Sequence, residues 1–217
     1  AKEFEKYLAK NGIECHTTIE DAKLMGCVAE AQVIATTYSP SLIDIISETN
    51  LVSNNLFAEN LLKTIGKEIT GVGSYDSARV AVNRFFESQG LSLVGYTQDD
   101  GSGLSRENYV SPRFFTKYYQ MMMKSDTFAE YLESFPQPGE DRGTLKRVLK
   151  DEPTEVKERI YAKSGSLSCV KCYAGYVISA QGPIRFAILV NNGSTSKMQS
   201  QIEGFMKELS VYAGKKK

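Results

Sequence analysis

IYAKSGSLSCVKCYAGYV, residues 160–177, is the stretch whose reading decides the fold. From Ile160 onward the apolar period changes from helical to extended, with β-branched and aromatic residues in runs too short for a helix. Lys163, Ser164 and Gly165 stand together near its head. A glycine inside a strand lets another backbone or a ligand come close, and a cation beside a hydroxyl suits a carboxylate. Plain turn chemistry accounts for the same three residues and stays open at this point.

Working outward, IYAKSGSL, VKCYAGYVIS and IRFAILVNN read as three strands, the last two joined by a turn at Gln181-Gly182-Pro183. Such tight links predict an antiparallel run. The segment that follows, SKMQSQIEGFMKELSVYAG, places Met198, Ile202, Phe205, Leu209 and Tyr212 on one helical face fit to cover the sheet. Upstream, an opening helix stops at Asn11-Gly12, and residues 14–38 read as loop and short extended pieces.

SLIDIISETN and LFAENLLKTIG are apolar-faced helices, the second closed by Gly66, with Ser53-Asn54-Asn55 in the junction between them. A helix over DSARVAVNRFFESQG, the polar loop DDGSGLSRENYVSP, a helix over RFFTKYYQMMMKS capped at Ser111-Pro112 and a short helix in GTLKRVLKD complete the reading. The stripe of Phe114, Tyr118 and Met122 reads as core packing. The fold class is α/β (α+β): an antiparallel sheet flanked by helices.

Composition narrows the function classes. In 217 residues, 26 basic and 26 acidic side chains cancel, which leaves no global field to draw nucleic acid or an anionic membrane. No apolar run reaches the length of a membrane span, and the charged start AKEFEKYLAK is no signal sequence. Lys215, Lys216 and Lys217 read as a solvated tail.

Four cysteines, Cys15, Cys27, Cys169 and Cys172, are too scattered for a disulfide scaffold. Residues three apart on a strand face opposite ways, so Cys169 and Cys172 would need a bulge to share a metal or a disulfide, and neither metal nor cofactor is expected. A single histidine, His16, makes a Ser-His-Asp or Cys-His mechanism a poor fit and turns attention to lysine as the basic group.

One K-[ST]-G, at Lys163 to Gly165, follows one S-x-N, at Ser53 to Asn55. S-x-x-K, S-D-N and K-T-G form the signature of serine β-lactamases and penicillin-binding proteins. With these motifs the chain resembles the class C low-molecular-mass penicillin-binding proteins, bacterial DD-carboxypeptidases and DD-endopeptidases. YSPSLIDIISETNLVSNNLFAENLLKTIG is similar to that family's S-x-N segment, DGSGLSRENYVSP to its glycine-rich loop, and IYAKSGSLSCVKCYAGYV to its K-T-G strand.

The resemblance implies that Lys163 and Ser164 hold the carboxylate of a terminal D-alanine and that Gly165 lets the substrate lie close. It implies that Ser166 N–H is an oxyanion-hole donor, that Ser53 relays a proton toward the leaving amine, and that Asn55 bonds the substrate amide. Peptidoglycan stem peptides and β-lactams are the implied partners, and the periplasm or another extracytoplasmic space the implied location. Asn54 stands where the family has aspartate, which removes a negative charge, and Ser164 where it has threonine.

Nothing before Ser53 spells S-x-x-K. Two such strings occur later, Ser168 to Lys171 beside a strand, and Ser194 to Lys197, where an ordinary serine cap suffices; both read as chance. The expectation is therefore that residues 1–217 are the C-terminal portion of one catalytic domain, an incomplete β-lactamase or penicillin-binding-protein transpeptidase-like fold without its nucleophile, inactive alone. An exposed strand edge would then favour self-association. A serine β-lactamase, a non-catalytic binding module and an ordinary α/β domain with accidental motifs are the alternatives.

Overall fold

The computed structural model describes residues 2–14, 16 and 35–215. Two bodies emerge, Ala1–Ser39 and Pro40–Lys217. The first contains helix α1 (Lys2–Lys10), ended where predicted: Asn11 N–H bonds back to Tyr7 O and Gly12 takes φ 75°. Cys15, Cys27, Lys216, Lys217 and most of the stretch read as loop and short extended pieces lie outside the described residues.

The second body opens with helices α2 (Leu42–Val52), α3 (Asn55–Thr70) and α4 (Tyr75–Ser88). A two-residue antiparallel pair, β1 (Tyr96–Thr97) and β2 (Tyr109–Val110), leads into α5 (Pro112–Met122), α6 (Phe128–Glu133) and α7 (Thr154–Lys157). Strands β3 (Ile160–Leu167), β4 (Val170–Ser179) and β5 (Gly182–Asn191) form an antiparallel sheet in that order, followed by α8 (Thr195–Gly214). Ser41, Asn54, Ser74 and Ser111 each accept an amide N–H three residues on and so start α2, α3, α4 and α5.

The sheet is covered on both faces. Ile160, Ala162, Tyr173, Val177 and Phe186 pack with Ile202 and Met206 of α8. On the other face Tyr161, Ala174, Tyr176 and Ala187 meet Phe115, Tyr118 and Tyr119 of α5 and Phe128 and Tyr131 of α6. The buried Tyr176 hydroxyl donates to Tyr119 O at 3.1 Å, so this aromatic layer leaves no orphan at that point. Among the described residues no helix is long and apolar enough to cross a membrane.

Four local expectations need correction. Gly66 does not end α3; a Cβ there would stand 2.8 Å from Ala78 N, so the glycine lets α4 cross close by, and Gly71 at φ 82° is the cap. The buried face of α8 is Met198, Ile202, Met206 and Ala213, while Phe205 and Tyr212 are exposed. Ser210, fully buried on that face, donates to Val156 O at 2.7 Å, which makes a polar residue tolerable there.

Residues 144–151 form turns instead of a helix, because Leu149 takes φ 50° and its N–H leaves for Glu203 Oε2 at 3.2 Å. The last hairpin turns at Ala180-Gln181, earlier than predicted, and Pro183 lies in β5 opposite Ile178. An edge strand tolerates the missing N–H.

Candidate active site

Helix α2 ends on Ser53, which adopts φ 57°, ψ 54°, a left-handed conformation rare for a residue with a Cβ. Thr49 O receives the N–H of Ser53 and also that of Asn54, so the helix terminus rather than free choice sets this backbone. The segment after α6 holds the same helix end from the side. Asn50 Nδ2 donates to Ser134 Oγ at 3.0 Å, Thr144 N donates to Leu51 O at 2.9 Å, and Arg142 pairs with Glu48 at 2.6 Å. Gly143, at φ 98°, permits this approach; a Cβ there would lie 2.8 Å from Leu51 O. Strain confined to one residue and fixed by its surroundings is common where a side chain must be aimed.

The aim of Ser53 is Lys163. Lys163 Nζ donates to Ser53 Oγ at 2.9 Å and to Ser164 O at 2.7 Å. On β3 the lysine pairs with Ala174 and shares the α5 and α6 face of the sheet with Tyr161. Its ammonium is half-buried without a carboxylate partner among the described ion pairs, and that burial lowers its pKa to about 8.

β3 is also an edge. Ala162 N–H leaves the sheet for Pro136 O at 3.1 Å, and with a period of two the backbone polar groups of Ser164 and Ser166 point off the same edge. Lys163 and Ser164 leave β3 on opposite faces, so both reach only a ligand lying along that edge. Gly165 and Ser166 are exposed there. A Cβ on Gly165 would meet only Cys172 Cβ, at an ordinary 3.6 Å, so the protein's own packing does not require glycine at this position.

Asn55 is the first residue of α3, exposed, two positions beyond Ser53. Asn54 acts differently, its Oδ1 accepting Phe57 N–H at 3.1 Å as the α3 cap. The residue read as a missing negative charge is thus a helix starter, a place where asparagine and aspartate serve equally.

The polar loop 100–105 packs on α3. Glu59 accepts Gly101 N–H and Ser102 N–H, and Asp100 accepts Gly103 N–H and Ser105 N–H while Asn108 closes the loop from behind. Burial raises the pKa of Asp100, but bonds from Asn108, Ser105, Gly103 and Ser102 outweigh it and hold the carboxyl below the usual range. The loop stood out in the sequence but Glu59 did not; the available signal was an acidic residue one turn beyond Asn55.

Neither late S-x-x-K string joins its lysine to its serine by a hydrogen bond. Lys171 lies over the Tyr173 ring, and Ser194 makes no side-chain cap bond, contrary to the capping role expected of it. Cys169 and Cys172 are free thiols. Among the described residues no cluster of three or more histidine, cysteine or acidic side chains is placed to hold a metal.

This arrangement of sheet and helices is shared with penicillin-binding proteins and β-lactamases. Penicillin-binding protein 4 of Haemophilus influenzae, solved with a β-lactam, superposes with TM-score 0.77 at 23% identity, over 98% of this chain and 50% of that one. The extended-spectrum β-lactamase TLA-3 superposes with TM-score 0.54 at 14% identity, over 80% of this chain and 64% of that one. The class is therefore that of the penicillin-binding-protein and β-lactamase fold.

Residues 1–210 match the D-Ala-D-Ala carboxypeptidase 3 (S13) family, and the chain belongs to it. A D-alanyl-D-alanine carboxypeptidase of Actinomadura sp. (strain R39) is 32% identical over 219 residues, 97% of this chain and 40% of that protein. The chain thus spans less than half the length of this relative.

Proposed function

We propose that these residues are the C-terminal portion of a single catalytic domain of a serine DD-carboxypeptidase or DD-endopeptidase acting on peptidoglycan stem peptides. The observation that carries this is the Lys163–Ser53 hydrogen bond at 2.9 Å, which joins the K-S-G and S-x-N motifs at the open edge of β3.

The terminal D-alanine carboxylate lies along that edge, between the Lys163 ammonium on one face and the Ser164 hydroxyl on the other. Gly165 leaves room for the peptide backbone. A nucleophilic serine from sequence outside these residues attacks the carbonyl of the penultimate residue, and Ser166 N–H, directed off the edge, stabilises the oxyanion. Ser53 passes a proton to the departing amine as the C–N bond breaks, leaving an acyl-enzyme that water hydrolyses. Asn55 bonds the substrate amide. Such chemistry needs no cofactor, and its substrate places the enzyme in an extracytoplasmic space.

Labelled β-lactam tests the reading. Full-length protein should form a stable covalent adduct at a serine outside residues 1–217, and the 217-residue chain alone should form none. Rapid release of hydrolysed β-lactam would make the protein a β-lactamase, and no labelling of the full-length protein would make it a binding module.

A further inference from the structure

Glu59 stands on α3 four positions beyond Asn55, and residues so spaced share a helix face. Its carboxylate receives two successive backbone amides of the 100–105 loop, Gly101 N at 3.2 Å to Oε2 and Ser102 N at 3.0 Å to Oε1. The contact is backbone on backbone: a Cβ on Gly101 would stand 2.4 Å from Ala58 O. The loop is rigid in its own right through Asp100, so Glu59 fastens one stiff body to the first turns of α3.

The groups around the Glu59 carboxylate fit a permanent anion. Two amides point at it from the loop, the Ser102 hydroxyl turns to Asp100, and Lys63 lies over the Tyr75 ring, 4.3 Å from its centroid. Burial raises the Glu59 pKa, yet the bonds from Ser102, Gly101 and Tyr75 outweigh it and hold the group charged.

We propose that Glu59 is a positioning residue: it clamps the 100–105 loop along the face of α3 that carries Asn55, as one wall of the substrate cleft, and so fixes Asn55 for the substrate amide. This rests on the role given to Asn55 above. The loop meets α3 at Ala58 and Glu59, one turn beyond Asn55, so release of the clamp should reach Asn55 through the helix and leave Lys163, on β3, in place.

The test is steady-state turnover of a D-Ala-D-Ala peptide by the full-length protein carrying Glu59→Gln or Glu59→Ala, with thermal melting alongside. Gln keeps the length and one acceptor, so kcat/KM should fall about tenfold, and about a hundredfold for Ala, the scale of losing one or two charge-assisted hydrogen bonds. The loss should lie in KM with kcat nearly unchanged, because an amide contact away from the scissile bond acts equally on ground and transition states.

Variants that melt lower but keep wild-type KM would overturn the proposal, as would a loss confined to kcat. If Glu59→Ala does not fold, Glu59→Gln carries the measurement. If the wild-type protein turns over no such peptide, the functional reading fails, and the side-chain amide resonance of Asn55 decides the positioning role: it shifts in Glu59→Gln if the clamp holds Asn55 and stays in place if it does not.

Discussion

Lys163 Nζ and Ser53 Oγ are 2.9 Å apart although 110 positions separate them in the chain. Each is held by a separate device, the lysine by sheet register and the serine by a left-handed helix terminus. Their meeting is therefore a property of the tertiary fold, and substitutions at either end report on it.

Lys163→Met should slow β-lactam acylation of the full-length protein by ten- to a hundredfold, roughly the worth of a charge-assisted bond to the substrate carboxylate. The same change should not lower the melting temperature and should raise it, since burial already disfavours the charge. A faster or unchanged acylation rate would remove Lys163 from the site.

The lysine also sets a pH dependence. With a folded pKa of about 8 the ammonium discharges above that pH, so KM for a carboxylate-ended peptide should rise there, while a peptide amide shows no such rise. For stability the sign is opposite. Between about 8 and the unfolded value of 10.5 the unfolded chain binds the extra proton, so unfolding free energy gains from this group as pH increases through that window. Urea titrations across it should show the gain in the wild type and not in Lys163→Met.

Two glycines of the sheet should respond differently. Gly165→Ala finds only an ordinary contact at 3.6 Å and should leave melting unchanged while peptide turnover falls, because the new methyl would stand on the Lys163 face of β3, beside the proposed substrate path. Gly175→Ala would set its Cβ 2.0 Å from Tyr161 O, and should cost about 2 kcal/mol or more in stability through forced displacement of β3. Equal effects of the two in a melting assay would contradict this account.

At the α3 cap, Asn54→Asp should be neutral for stability and Asn54→Ala should cost about 1 kcal/mol, measured by chemical denaturation. A large loss for aspartate would mean that Asn54 Nδ2 has a role that the cap bond to Phe57 N–H does not reveal.

Among the described residues, β3 and β5 are the two edges of the sheet. The 217-residue chain alone should self-associate through an edge, seen as a concentration-dependent mass in sedimentation. A monomer at high concentration would count against it.

Much of this was legible in the sequence for physical reasons. The three strands announce themselves because β-branched and aromatic runs are cut by short turns, and Ser111-Pro112 marks the start of α5 because a cap and a first-turn proline need only local chemistry. What escaped depends on partners far away in the chain. Gly66 looks like a stop until Ala78 is seen packed on it, and Phe205 and Tyr212 look like core until Met206 is found in their place. Glu59 is one more surface acid until the loop docks. Ser53 and Lys163 could be paired from their motifs, but the left-handed terminus that aims Ser53 has no signature of its own.

The most direct measurement is a double-mutant cycle on β-lactam acylation of the full-length protein, using Ser53→Ala, Lys163→Met and both together. If the two residues act as one unit, each single change slows acylation and the double change is little worse than the more severe of the two. Additive losses, or a single change without effect, would show that the 2.9 Å contact is not part of the reaction.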